Sequence, residues 1–590
     1  MIRRIHGWGP VIIAAAIISV VSSQKHEASQ PQSGPAVLFT DITREAGVAF
    51  THINGASPDK HLVETMGSGG VFFDYDNDGW IDLFLVDGGS VADPAIARQA
   101  QHRLFHNRGP STRVARSGQA PPTGSGLGQF EDVTNRSGIQ HREYGMGACA
   151  GDYDNDGRID LYVTNFGPNV LYRNLGNGTF EDVTRAARVG TPSSWSTGCA
   201  FADLDRDGDL DLFVTNYVAM DVTHSPFCGN ARLKLRSYCH PLNYEPLPNR
   251  LYRNDGNGVF TDVSAQSGVG AYRGNGLGVI AADLDDDGWP EVFVANDSMP
   301  NFLFRRAGDS LRFEEIALRA GVAVATDGRA RAGMGVDAGD YNGDGRLDLI
   351  VTNLDSEMNS LYRGLGSLLF AYATPESGTG PATLPFVGFG VVFFDFDNDA
   401  QLDLAVANGH IFDNAPSFRA GATYAQRNLL FRNTGARFAD VSRDAGAGFA
   451  IEKVSRGLIA GDIDNDGDLD LVVTNNGQAA DVLRNDGGNR RNALIVRLVG
   501  TRSNRDAVGA RLRLTTGTRT QSREVRAGSS YLGQNDLRQH FGLDAAARAD
   551  RLEIRWPSGR TEIVERVQAN QVITVREGEG IVSRAPFDGR

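Results

Sequence analysis

Residues 74–86 read DYDNDGWIDLFLV: a carboxylate at positions 1, 3 and 5, glycine at 6, another acid at 9, then an apolar run. The pattern, close to DxDxDGxxD, is written seven times between Asp74 and Asp470. The first three copies are Asp74, Asp76, Asp78, Asp82; Asp152, Asp154, Asp156, Asp160; and Asp203, Asp205, Asp207, Asp211. The fourth is Asp283, Asp285, Asp287, Glu291, and the fifth carries an amide, Asp340, Asn342, Asp344, Asp348. The last two are Asp395, Asp397, Asp399, Asp403 and Asp462, Asp464, Asp466, Asp470. Like charges so close repel strongly unless a cation lies among them. Calcium, a hard cation, fits: it takes six to eight oxygens at about 2.3–2.6 Å. Positions 1, 3, 5 and 9 offer carboxylates and position 7 a backbone carbonyl, from Trp80, Arg158, Asp209, Trp289, Arg346, Gln401 and Asp468. Glycine at position 6 permits the sharp turn. Only the sixth copy departs, with Ala400, and a strained turn of lower affinity is expected there.

An EF-hand begins with the same letters, but its bidentate acid falls at position 12 and its loop sits between helices. Here position 12 is apolar, Leu85 in the first copy and Val163 in the second, within runs that read as buried strands. The loops therefore connect strands. Around each lies a longer repeat: a small-residue strand before the loop (GLGVIAAD, GFGVVFFD), the apolar strand after it, an LYRN-like element and a FEDVT-like element. Four strands in each of seven repeats predict an all-β, seven-bladed β-propeller, since single blades cannot bury their faces alone. The seventh repeat lacks its FEDVT element, and the missing copy stands at Phe39–Thr43 (FTDIT). The N-terminal strand is expected to complete the last blade and close the ring, which removes exposed edges.

The formal net charge is −14; removal of Arg3 and Arg4 with a leader would make it −16, and seven divalent ions would bring that to −2. The acidity is a metal-site signature and excludes nucleic acid as the partner. Arg3, Arg4 and the apolar stretch from Val11 to Val21 read as a cleaved export signal over 1–23; the run is shorter than the about 20 apolar residues of a spanning helix, and a retained anchor is the alternative. Residues 24–35 read as a disordered lead-in. The ring is expected over 36–489, a second small β domain over 490–576 and a disordered polar tail over 577–590. A secreted, periplasmic or extracellular location follows from the leader. In that oxidising setting Cys228 and Cys239 are expected to pair, stapling the insertion CGNARLKLRSYC. Cys149 and Cys199, on presumed inner strands, are expected as buried free thiols.

Insertions at 217–250 and 409–428, with a shorter one after Asp87, follow second strands and so emerge opposite the acidic loops; 108–128 reads as a flexible loop. Loops on a rigid scaffold are the usual home of recognition, so that opposite end is the expected binding face. Tyr217, Tyr244 and Trp195 are candidates for glycan contact there. The asparagines ending second strands, Asn165, Asn216, Asn296, Asn353, Asn408 and Asn475, are expected to cap turns.

The repeat resembles the VCBS or FG-GAP repeats also seen in integrin alpha-subunit propellers. The segments VGARLRL, QSREVRAGSSYLGQNDLRQHFGL and LEIRWPSGRTEIVERVQANQVITV resemble the ASPIC/UnbV domain. Together with the insertion ending in YCHPLNY, they make the chain similar to the cartilage acidic protein family. The resemblance implies a secreted calcium-binding protein of the adhesion or matrix type. The chain has no RGD, so integrin binding is not carried over.

The reading is a recognition module for an extracellular protein or glycan, held by about seven structural calcium ions. The alternative is an extracellular carbohydrate-active enzyme, a lyase or hydrolase, on the same ring. It would need a convergent acid/base pair. His410, His61 and Tyr144 are the candidates, and no GxSxG or HExxH occurs. In the second domain, His540 and GSSYLGQND (528–536) are read either as a ligand site or as a packed turn.

Overall fold

The computed structural model describes residues 37–109, 129–141, 143–190, 194–308 and 311–588. The expected leader, the lead-in and nearly all of the 108–128 loop lie outside the described residues. The described chain is all-β, and its helices are single turns. Each acidic loop joins the first two strands of an antiparallel unit. Around the first loop, Gly70–Phe73, Asp82–Leu85, Arg103–Asn107 and Phe130–Asp132 pair in that order. The fourth, fifth and sixth loops head sheets of the same order. The second and third share one sheet, joined where Ser194 and Trp195 pair with Gly167 and Phe166. Around the seventh loop, Ser455–Gly461, Asp470–Asn475 and Asp481–Asp486 supply three strands. The fourth strand is the N-terminal Leu38–Asp41, antiparallel with Phe39 opposite Asn485. The arrangement is β-propeller-like.

The small-residue strands are small because inner strands of successive sheets approach closely. A Cβ on Gly198 would lie 2.5 Å from the Leu277 carbonyl oxygen, one on Gly335 2.1 Å from that of Phe389, and one on Gly390 2.5 Å from the Leu458 nitrogen. Across these contacts the threonines ending second strands donate to the next sheet: Thr215 to the Leu277 carbonyl (2.9 Å), Thr352 to Phe389 (2.6 Å) and Thr474, in the seventh unit, to Ser68 in the first (2.6 Å).

The C-terminal domain is two four-stranded sheets. One orders Gln539–Asp544, Asn492–Val499, Gln571–Arg576 and Gly580–Pro586; the other orders Arg519–Glu524, Arg511–Thr516, Arg548–Arg555 and Thr561–Gln568. Leu494, Val496, Leu512, Ile554 and Trp556 are buried in one apolar cluster of this domain, which continues into the second and third sheets. The expected disordered tail is corrected: Gly580–Pro586 is a strand on Gln571–Arg576, and Phe587 is buried against Ala493 and Ile495. Its few apolar residues gave no periodic signal; a single phenylalanine and edge pairing hold it.

Free-thiol Cys149 and Cys199 are likewise corrected. They form a disulfide, Cα atoms 5.8 Å apart, between the inner strands Tyr144–Gly151 and Ser194–Ala202. Cys228 and Cys239 are bonded as expected.

Glu577 ties the C-terminal domain's ends together. Its carboxylate accepts from the amides of Thr501 (2.9 Å), Arg502 (2.8 Å) and Ser503 (2.9 Å) and from the Ser558 hydroxyl. Burial alone would push this acid up, but those hydrogen bonds hold it down at about 2. A carboxyl held low in the folded state stabilises it above the ordinary carboxylate range, and that contribution is lost as pH falls toward 2. Glu577→Gln is therefore expected to cost about 2 kcal/mol at pH 7. Melting temperatures of the two proteins compared across pH should draw together below the ordinary carboxylate range and converge only near pH 2.

Candidate metal centres

The acidic turns are built alike. Position 1 accepts amides from positions 5 and 6: Asp152 from Asp156 (3.0 Å) and Gly157 (2.7 Å), Asp340 from Asp344 (3.0 Å) and Gly345 (2.9 Å), Asp462 from Asp466 (3.2 Å) and Gly467 (3.0 Å). The sixth loop keeps this geometry without glycine: Asp395 accepts from Asp399 (3.0 Å) and Ala400 (2.8 Å), with Ala400 at φ +70°. Position 9 is fixed from the third strand and from the turn, Asp211 by the amides of Asn254 (2.8 Å) and Leu204 (3.1 Å), Asp470 by those of Asn485 (2.8 Å) and Ile463 (3.1 Å).

These bonds leave oxygens over. Asp160 Oδ2, Asp203 Oδ1, Asp205 Oδ1, Asp283 Oδ1, Asp285 Oδ1 and Asp464 Oδ1 are buried and accept no hydrogen bond. Such an oxygen is costly to bury unless a cation takes it up. In several loops three side-chain ligand atoms lie within 4.8 Å of one another, as in Asp152, Asp154, Asp160 and in Asp283, Asp285, Asp287. The donor set is all oxygen and fits a hard cation. Electrostatics agree. Burial, with neighbouring carboxylates adding in the same direction, pushes Asp152 and Asp462 up to about 8 and Asp203 up to about 7. Asp160, Asp211, Asp403 and Asp470 are raised well above the carboxylate range for the same reasons.

Of the position-7 side chains, Trp80 lines a cavity beneath the C-terminal domain. Trp289 is sandwiched by Arg206 and Arg306, Arg158 and Arg346 pair with the acids two residues before them, and Gln401 donates to Asp399 (3.0 Å). Asp209 accepts from Asn155 (2.7 Å) and Asp468 from the Asn489 amide (2.9 Å).

The FG-GAP-like repeat family matches residues 152–214, 243–294, 283–351 and 340–406, and the ASPIC and UnbV family matches 500–582. Cartilage acidic protein 1 of Homo sapiens is 28% identical over 473 residues, 75% of this chain and 65% of that protein. The Xenopus tropicalis protein of that name is 28% identical over 464 residues, 74% of this chain and 65% of its own length. The chain is a homologue of cartilage acidic protein 1. It thus spans about two thirds of the relatives it matches. Among solved structures, an Agrocybe aegerita lectin recognising non-reducing terminal N-acetylglucosamine aligns with TM-score 0.33 and 15% identity, covering 58% of this chain and 83% of that one.

The ASPIC/UnbV domain sits on the acidic loops of the FG-GAP repeats. Arg538 donates to the Asp462 carbonyl (3.0 Å), Arg505 donates its amide to Asn155 (2.8 Å), Arg511 donates to the Asp283 carbonyl (3.2 Å), and Arg555 pairs with Asp283 and Asp286. Between its sheets the stretch 527–536 enters the middle of the repeat array. Ala527 bridges Phe201, Ser530 bridges Val336 and Gln534 bridges Val71. The Tyr531 hydroxyl reaches the Met66 carbonyl (2.8 Å) and Asn535 accepts from Ala460 (2.9 Å). GSSYLGQND is thus the packed turn of the two readings: the Ser529 amide donates to the Gly533 carbonyl (2.9 Å), and the turn lies against several sheets at once. His540 is buried, 3.3 Å from the Gly467 carbonyl, and burial with the Arg523 charge lowers it to about 3.

At the opposite end the insertions interlock: His61 meets the Ser225 hydroxyl (2.7 Å), Asn414 donates to the Arg236 carbonyl (2.9 Å) and Tyr238 to Glu64 (3.1 Å). Tyr144 donates to the Asn54 carbonyl (2.9 Å), and buried His410 accepts the Phe412 amide (2.9 Å), a turn cap. His61, Tyr144 and His410 each hydrogen-bond a different partner, and His410 Nε2 also lies 4.0 Å from Asp355 Oδ2. Trp195 and Tyr217 are core residues, with Tyr217 donating to Asp297 (2.6 Å), and Tyr244 is half-buried. Asn165 and Asn296 cap turns as expected, donating to the Pro168 and Pro300 carbonyls at 2.7 Å, whereas Asn216 donates at 2.7 Å to Pro248 at the far end of the 217–250 insertion.

Sequence reasoning missed the asparagine closing LYRN. It donates to its own loop and to the loop before: Asn254 to Tyr153 (2.8 Å), Asn485 to Phe396 (2.8 Å), and Asn107 of the first unit to Ile463 of the seventh (2.8 Å). Its recurrence at the end of LYRN was the available signal. Carboxyls raised this far would take up protons when no cation is bound, and cation binding would release them. Calorimetric calcium titrations in two buffers of different ionisation heat are expected to give different enthalpies and an affinity that falls with pH; identical enthalpies would contradict this.

Proposed function

We propose that the chain is a secreted calcium-stabilised recognition module of the adhesion type. In this reading the repeats form a seven-bladed ring closed by the N-terminal strand, about seven calcium ions are structural, and the partner is an extracellular protein or glycan. The observation that carries it is the placement of the ASPIC/UnbV domain. It covers the acidic-loop end and fills the middle, so the insertions present the free end. Large apolar side chains are exposed there, Phe227 at 51%, Leu233 at 72% and Leu242 at 60%, on and beside a disulfide-stapled hairpin. Exposed apolar residues grouped on a rigid support mark interaction surfaces. Two disulfides agree with an oxidising compartment. Among the described residues no helix is long and apolar enough to cross a membrane.

Each calcium site would stabilise the fold by about 2.7 kcal/mol at a hundredfold excess over its dissociation constant. Thermal unfolding in calcium and in chelator, with metal counting by mass spectrometry, is expected to give a count near seven and a large drop in melting temperature on chelation. A count of one or two with unchanged stability would remove calcium as the structural agent.

For the face, Leu233→Ser with Phe227→Ser is expected to weaken binding to immobilised extracellular-matrix proteins or glycans at least tenfold, with melting temperature unchanged. Binding that survives both substitutions would move the partner surface elsewhere.

A further inference from the structure

Where the C-terminal domain meets the sheets around the fifth, sixth and seventh loops, it closes over a cavity of about 100 Å³. One water needs about 10–15 Å³ of such space, so the cavity takes several waters or one small polyatomic ion. The C-terminal domain lines it with Arg523, Arg526, Ser529 and His540, and the sheets with Asp337 and Asp395. Three of these side chains carry polar atoms with no partner in the chain: Ser529 Oγ, His540 Nδ1 and Arg526 Nε are buried and make no hydrogen bond. Ser529 and His540 are each only 6% exposed, so bulk water does not serve them. The 528–536 turn is packed through its main chain, while the Ser529 hydroxyl is left to the cavity.

The acids on the lining are all committed. Asp337 accepts from Arg526 (2.8 Å) and from the amides of Ala338 (2.8 Å) and Phe393 (2.8 Å). Asp395, as first position of the sixth turn, accepts the amides of Asp399 (3.0 Å) and Ala400 (2.8 Å). Glu524 pairs with Arg511 (3.3 Å) and Asp536 with Arg538 (2.6 Å). Arg523 is the exception among the cations. Its donors go to the His540 carbonyl (3.2 Å), the Ser522 carbonyl (3.0 Å) and Gln521 Oε1 (3.1 Å), all neutral. Asp395 and Asp340 attract it from beyond ion-pair distance, and the Arg526 charge repels it. It lies deep in the protein yet keeps some accessible surface, as a side chain on an internal cavity does. A cation so placed is costly without a counter-charge.

Polarity narrows the occupant. His540 Nε2 lies 3.3 Å from the Gly467 carbonyl oxygen, which only accepts, so Nε2 holds the ring hydrogen and Nδ1 presents a lone pair. The occupant must therefore accept from Arg523, Arg526 and Ser529 and donate to His540. Water can do both but leaves Arg523 unbalanced. We propose that the cavity holds one small oxyanion that keeps a proton, inorganic hydrogen phosphate, as a structural ligand between the C-terminal domain and the repeat sheets. Its charged oxygens take guanidinium N–H groups, a strong charge-assisted pairing, and its P–OH donates to Nδ1. Sulfate has the same shape but no hydrogen to donate at neutral pH, and a phosphate ester is too large for the volume. Because Arg526 also holds Asp337, the anion fastens the domain to the sheet around the fifth loop.

Inorganic phosphate is the probe. The full chain is exchanged into phosphate-free buffer, offered phosphate and desalted, and the phosphate it retains is counted by 31P NMR after acid denaturation, alongside melting temperatures in phosphate and in equimolar sulfate. One equivalent per chain is expected to be retained, with a melting temperature raised by phosphate and raised less by sulfate. Ser529→Ala removes a hydroxyl that has no partner in the chain. It is expected to keep the melting temperature in phosphate-free buffer and to weaken phosphate binding at least tenfold. Arg523→Gln is expected to abolish retention, and if that variant does not fold, Ser529→Ala decides. A chain that retains no phosphate and melts alike with and without it has a cavity filled by water, which overturns the proposal. Retention unchanged in Ser529→Ala, or sulfate that matches phosphate, overturns it as well.

Discussion

The structure depends on crowding carboxylates into tight turns at one end of a β-sheet array. The turns exist because each first-position aspartate accepts the amides of positions 5 and 6, and each ninth-position acid is pinned by the following strand. The same bonds that shape the turn commit only some of the oxygens, and the rest face one another, buried and unpartnered. Raised carboxyl pKa values are the electrostatic record of that arrangement. Positive charge has to come from outside the loop. Bound cations supply it in the proposed account, and the arginines of the C-terminal domain and of the LYRN elements supply part of it in the structure itself.

That division explains why the C-terminal domain lies where it does. Its arginines reach loop carbonyls and carboxylates, and its 527–536 segment hydrogen-bonds to inner strands of several sheets. One end of the array is therefore committed to cohesion. The other end carries interlocked insertions, a stapled hairpin and exposed apolar side chains, which is the distribution a recognition protein needs.

Much of this was legible in the residues. The loop period, the small-residue strands and the displaced FTDIT element are local patterns repeated often enough to be read, and their strands pair in the order the repeats imply. What escaped was long-range or carried by single residues. Cys149 and Cys199 sit in different repeats, so nothing in their spacing revealed that their strands are neighbours. The 528–536 stretch is polar, with small residues that make main-chain contacts to distant sheets, and such contacts leave no periodic trace. Tyr217 and Trp195 look like contact aromatics in sequence, yet they are buried in one cluster with Leu62, Val63, Met146 and Tyr531, residues far apart in the chain. The strand at Gly580–Pro586 is an edge strand with polar outward residues, indistinguishable by composition from a tail.

The central claim is that cations in the acidic turns hold both the sheet array and the docked domain. Hydrogen–deuterium exchange of the full chain in calcium and in chelator tests it most directly, read at peptides covering the acidic turns and residues 527–536. The account predicts that chelation strips protection from the turns and from 527–536 together, because the segment's partners are strands that the turns hold in place. Protection of 527–536 that persists in chelator while the turns exchange freely would contradict it.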